Sequence, residues 1–188
     1  MSSADPLARI VSELERAGIP HMLAGSFASS YHGDPRTTHD IDLVIDPDRA
    51  ALGLLVNQLE SHHYYVSPEA VEEAWRRRGQ FNVVLVELGW KVDLILRKER
   101  PFSREEFRRR VSARIGDVEV HVATAEDTVL AKLEWAAAGE SEKQLRDVLG
   151  ILEMRTGDLD LEYIERWAAE LGVGGLWQEV RRRLDTEP

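Results

Sequence analysis

An aspartate set inside an apolar strand restricts the folds open to this chain more than any other feature. Two such runs occur, Ile41-Asp42-Leu43-Val44-Ile45 and Val92-Asp93-Leu94-Ile95-Leu96. Aspartate is disfavoured in strands and costly to bury without a partner, so each of these carboxylates needs a compensating group. Asp40 stands two residues before Asp42, and because strand side chains alternate, both project from one face. Asp93 on a neighbouring strand would complete a set of three. Carboxylates this close raise one another's pKa unless a cation neutralises them. Mg²⁺ is the natural occupant, with Mn²⁺ as the alternative, since it takes oxygen ligands and is usually held by a few carboxylates plus substrate phosphates. The competing readings are loop-end solubilising residues or caps for Asp40 and Asp42, and a buried ion pair with an arginine for Asp93.

Upstream lies Gly25-Ser26, between a short strand, His21 to Ala24, and the first turns of a helix, Phe27 to Tyr31. Glycine at such a junction lets backbone N–H groups approach a phosphate, and Ser26 adds a hydroxyl donor. Downstream, Ala131-Lys132-Leu133 falls in a largely apolar helix, and Lys143 and Arg146-Asp147 fall in the next. Taken singly these residues have ordinary explanations. Lys132 can snorkel to water, Arg36 can be a solvated loop arginine, and Arg146 and Asp147 can be helix-surface charges, unless Asp147 orients Lys132.

In this order, from about Gly25 to Asp147, the motifs resemble the DNA polymerase β-like nucleotidyltransferase superfamily, close to the AbiEii and MenT type of nucleotidyltransferase toxins and their uncharacterised relatives. The resemblance implies an α/β (α+β) fold, the nucleotidyltransferase fold, with a mixed β-sheet flanked by helices and a helical C-terminal portion. It implies a nucleoside triphosphate such as ATP as substrate and Mg²⁺ held by Asp40, Asp42 and Asp93. These three, with Lys132 and Asp147, would be catalytic, while Gly25, Ser26, Arg36, Lys143 and Arg146 would contact the nucleotide. The implied reaction moves a nucleoside monophosphate to a hydroxyl, on a tRNA 3′ end or a protein side chain, with an antitoxin protein as a further partner. Two alternatives use the same residues: a small-molecule nucleotidyltransferase of the antibiotic-modifying kind, and a non-catalytic nucleotide-binding or interaction member of the fold.

Composition narrows the setting. With 188 residues and 43% hydrophobic content, the chain can bury a substantial core. Cysteine is absent, which excludes disulfides, thiolate zinc sites and cysteine nucleophiles. No apolar run reaches the roughly 18 residues of a membrane span, and Met1 to Pro6 lacks the features of a signal peptide, so a cytoplasmic protein is expected. A net charge of −10 argues against sequence-independent coating of nucleic acid. The arginine triplets 76–78, 108–110 and 181–183 read as solvated helix faces beside glutamates, with a local basic patch as the other reading.

Periodicity and turn residues predict helices over Asp5–Ala17, from Ser26, over Ala50–Glu60 and around Glu69–Arg77, with strands at His21–Ala24, Ile41–Ile45 and Tyr64–Val66. A hairpin follows, Phe81–Glu87 with Lys91–Leu96, then helix from Ser103 and a small hairpin, Ala113–Ile115 with Val118–Val122. A helix capped by Thr124, with Asp127 three residues on in a capping-box-like place, a helix capped by Ser141, and two more, Leu161–Leu171 and Gly174–Leu184, complete the chain. The expected division is a nucleotidyltransferase domain, 1–122, and a C-terminal helical portion, 123–188. The five tryptophans are expected in the core or between helices, and neither His39 nor the pair His62-His63 has metal-ligand spacing.

Overall fold

The computed structural model describes residues 5–59, 63–139 and 141–186. Met1 to Ala4, Glu60, His62 and the Ser141 side chain, all named above, lie outside the described residues. In chain order the elements are α1 (Pro6–Arg16), β1 (His21–Leu23), α2 (Gly25–His32), β2 (Asp40–Ile45), α3 (Arg49–Leu59), β3 (Tyr64–Val66), α4 (Pro68–Arg77), β4 (Gln80–Leu85) and β5 (Trp90–Leu96). There follow α5 (Pro101–Arg109), β6 (Val111–Ile115), β7 (Val118–Val122), α6 (Ala125–Ala137), α7 (Ser141–Met154), α8 (Leu161–Glu170) and α9 (Gly174–Thr186). Two compact units result. One comprises the chain up to Ala24 together with Thr38–Val122; the other comprises Gly25–Thr37 and the chain from Ala123 onward. The segment that carries Gly25, Ser26 and Arg36 thus groups with the C-terminal helices.

The first unit contains a mixed seven-stranded sheet in the order β3-β4-β5-β2-β1-β7-β6. β2 and β5 run parallel at its centre, while β1 pairs antiparallel with β2 and parallel with β7. Alternation sorts the two faces of the central strands. Ile41, Leu43 and Ile45 of β2, Val92, Leu94 and Leu96 of β5, and Phe81, Val83 and Leu85 of β4 are all buried. Their register partners make one continuous apolar face, and Asp40, Asp42, Lys91, Asp93 and Asn82 are left on the other. The helices begin where the sequence chemistry says they should. Asp5 caps α1 by accepting from the Leu7 and Ala8 amides, with Pro6 at the first helical position. Ser67 caps α4 in the same way, with Pro68 following.

The second unit is helical. Thr124 caps α6, and its hydroxyl both accepts from the Asp127 amide (3.2 Å) and donates to Oδ2 of Asp127 (2.8 Å). Asp127 is fully buried, and its other oxygen accepts from the Tyr163 hydroxyl of α8 at 2.6 Å. A residue placed by sequence as a capping group therefore also ties α6 to α8. His32 Nε2 meets the Ala123 carbonyl at 2.7 Å. That carbonyl can only accept, so Nε2 carries the proton; burial holds the His32 pKa below its ordinary value, which keeps the ring neutral.

Gly33, just after α2, shows how closely α2 and α7 approach. A Cβ there would lie 2.8 Å from the Ile151 nitrogen and 2.9 Å from the Gly150 carbonyl carbon, both backbone atoms that cannot rotate away. Gly33→Ala is expected to destabilise the protein by about 1–3 kcal/mol through forced separation of the two helices. The urea midpoint measures this, and an unchanged midpoint would contradict so tight an approach. Trp167 and Trp177 are buried as expected, but Trp135 is 53% exposed, because the packed face of α6 is occupied by Val129, Leu133 and Ala136. Trp75 is half-buried beneath the Arg49 and Arg78 guanidinium groups at 5.6 and 5.1 Å.

Candidate active site

The sequence-derived site residues fall into one constellation in each unit. In the sheet unit, Asp42 of β2 is the register partner of Asp93 on β5, and Asp40 is the partner of Lys91. Neighbouring strands lie about 4.8 Å apart, so these four side chains occupy the corners of a small rectangle on the polar face of the sheet. Asp93 is 7% exposed. Its Oδ2 pairs with Lys91 Nζ at 3.0 Å, and its Oδ1 is buried without a hydrogen-bond partner. The arginine partner considered for Asp93 is not what the fold supplies; the cation comes from its own strand, two residues back. Asn82 of β4 is the register partner of Asp93 on its other side. His39 is turned to the Trp90 ring, 5.9 Å between centroids.

This set suits a hard divalent cation in its chemistry: carboxylate oxygens on one face of paired strands, with one buried oxygen lacking a partner. As the side chains stand, no group of three His, Cys, Asp or Glu among the described residues is close enough to hold a metal. Lys91 occupies Asp93 Oδ2 in that arrangement.

In the helical unit, Asp147 of α7 is the hub. It accepts from Arg36 through two nitrogens (3.0 and 3.1 Å), from Lys132 Nζ of α6 (2.7 Å) and from the Ser29 hydroxyl of α2 (3.2 Å). Burial opposes ionisation of Asp147, but the hydrogen bonds and charges of Arg36 and Lys132 outweigh it and hold its carboxyl below the ordinary range. Arg36 Nη2 also donates to the Ser26 hydroxyl oxygen at 2.6 Å, which leaves the Ser26 proton able to point elsewhere. Lys132 is buried, with a side chain 6% exposed, so it is not a snorkelling surface lysine. Gly25 has φ +56°, the left-handed region that favours glycine. Beside this network lies a cavity of about 310 Å³ lined by Ser29, Asp34, Arg36, Lys143, Arg146, Asp147 and Gly150. Its arginine and lysine lining suits an anionic group.

Sequence reasoning missed Ser29 and Lys91. A helix-interior serine gives no signal of its own. Lys91 could have been found by strand alternation, since it shares the face of Asp93.

The mixed sheet with a strand-borne Asp-x-Asp and a third aspartate on the adjoining parallel strand defines the class: a nucleotidyltransferase fold. Residues 14–175 match the family model for the nucleotidyl transferase AbiEii toxin of type IV toxin–antitoxin systems, and the chain belongs to that family. The crystal structure of ANT(2″)-Ia in complex with adenylyl-2″-tobramycin is similar at TM-score 0.61 and 15% identity, over 91% of this chain and 97% of that one. The solution structure of the antibiotic-resistance factor ANT(2″)-Ia gives TM-score 0.57 at 14% identity, over 95% and 92%. An antigenic nucleotidyltransferase-like protein from Paracoccidioides brasiliensis gives 0.57 at 16%, over 95% and 87%. At such identities the likeness is one of fold. No curated protein matches the chain in sequence.

Proposed function

We propose that the protein transfers a nucleoside monophosphate from a nucleoside triphosphate to a hydroxyl and releases pyrophosphate, acting as a toxin whose acceptor is a tRNA 3′ end or a protein side chain. The observation that carries this reading is the in-register Asp42–Asp93 pair, with its unpartnered buried oxygen, in a chain of the AbiEii family. Asp40, Asp42 and Asp93 would hold Mg²⁺, or Mn²⁺ in its place. The bound ion would supply Lewis-acid charge to the triphosphate and make the acceptor hydroxyl easier to ionise.

The protein's own groups do the rest. Asp93 accepts the acceptor's proton. Gly25 and Ser26 receive the triphosphate, Ser26 with its donor proton while its oxygen stays bonded to Arg36. Lys132, fixed by Asp147, offsets charge that develops on the phosphates, and Arg36, Lys143 and Arg146 add cations to the nucleotide's anionic groups. Asp147 acts through Arg36 and Lys132, as a positioning residue. Membership of the AbiEii family supports a cytoplasmic toxin partnered by an antitoxin; no helix among the described residues is long and apolar enough to cross a membrane.

One observation favours a small cationic acceptor as a second reading. Several of the triplet arginines pair with acidic neighbours, Arg77 with Glu73, Arg78 with Glu99, Arg108 with Glu105, Arg181 with Glu165 and Arg183 with Glu179, which lowers the net positive charge these faces present to RNA. Incubation with each labelled triphosphate, Mg²⁺, and total RNA and protein extract tests both. Label on RNA or protein is the expected result. Label only on an added aminated sugar would transfer the assignment to the small-molecule reading, and no transfer to any acceptor would contradict both.

A further inference from the structure

The polar face of the β2–β5 pair carries three carboxylates and one cation, and the cation is the part without a role so far. Lys91 reaches from its position beside Asp40 to Asp93 Oδ2, 3.0 Å away. It therefore stands where a divalent ion's positive charge would be needed, next to a buried oxygen with no partner. Its side chain is 42% exposed, so the ammonium can leave for water at low cost, which a buried lysine could not do.

We propose that Lys91 is a resident stand-in cation that neutralises Asp93 in the metal-free protein and competes with the divalent ion for the carboxylates, leaving Asp93 when the ion binds. This rests on the assignment of Asp40, Asp42 and Asp93 as metal ligands. Competition of this kind lowers metal affinity by a constant factor, so the site fills only when metal is abundant, and meanwhile it offsets part of the repulsion among the three carboxylates.

The test uses Mn²⁺ alone as probe, read by electron paramagnetic resonance or calorimetry on the full chain. Lys91→Met is expected to tighten Mn²⁺ binding by about 2–5-fold, within the range that corresponds to loss of a partly exposed ion pair, whereas Lys91→Arg, which keeps the charge, stays near wild type. In the wild type, acylation of Lys91 by acetic anhydride, quantified by peptide mass spectrometry, should rise on Mn²⁺ addition as the ammonium is released. The acylation measurement needs no variant and decides the matter if Lys91→Met does not fold. Wild-type Mn²⁺ binding with unchanged or weaker binding in Lys91→Met, or with Lys91 acylation unaffected by Mn²⁺, overturns this inference alone. Absence of Mn²⁺ binding in wild type and variant overturns it together with the ligand assignment.

Discussion

Asp147→Ala is expected to destabilise the protein by about 3–5 kcal/mol, the usual cost of breaking a buried ion pair from one side. Lys132 sits with 6% of its side chain exposed and Asp147 with 8%, so truncation leaves an ammonium buried with its principal partner gone and releases both Arg36 bonds as well. Urea unfolding measures the loss. The double variant Lys132→Met/Asp147→Leu should recover much of it, since replacing both charges with apolar groups removes the unpaired cation. Recovered stability without recovered transfer would separate the structural part of the network from its proposed part in catalysis.

The same network fixes an acid slope. The folded pKa of Asp147 lies below its ordinary value of 3.8, so the unfolded chain binds the proton more readily, and stability falls as pH drops below about 4 toward the folded value. This contribution is complete above that range, and Asp147→Leu in the double variant should flatten the slope there. A loss below about 1 kcal/mol in Asp147→Ala would mean that Lys132 finds water or another acceptor when its partner is removed.

Asp42→Asn is expected to lower nucleotidyl transfer by about 10³-fold or more. Loss of a ligand charge would remove several kcal/mol of stabilisation at the phosphates, and each 1.36 kcal/mol is tenfold in rate. The fold should remain, with a melting temperature in chelator equal to or above wild type, because Asp42 faces Asp93 across the β2–β5 pair and neutralising one of two like charges relieves repulsion. Transfer within tenfold of wild type would contradict the proposed role of Asp42 as a metal ligand. Collapse of the structure in chelator would instead show that Asp42 is held by fold-stabilising contacts.

Much of the architecture was legible in the chain because its signals are local. Thr124 and the following acidic residue mark the start of α6, Pro6 and Pro68 mark first helical positions, and the alternation around Ile41 and Val92 marks strands with one buried face. The same periodicity put Asp40 and Asp42 on a common face before any pairing was known. Motif order then led to the family that residues 14–175 match.

What depended on tertiary structure is what two distant segments do to each other. Alternation says that Asp93 shares a face with residues two positions away, yet only the parallel register of β2 and β5 sets it opposite Asp42 and sets Lys91 opposite Asp40. The exposed placement of Trp135 followed from which stripe of α6 was used for packing, a choice that hydrophobicity alone left open. Asp127 read as a cap, and the Tyr163 hydroxyl that ties it to α8 lies 36 residues away in sequence. Asp147 likewise gained its partners from α2, the following loop and α6. Local sequence determines φ/ψ preference and the direction a side chain faces, because those depend on near neighbours. Which charge meets which is decided by long-range packing, where burial removes water and makes each unpaired polar group costly enough to select one arrangement.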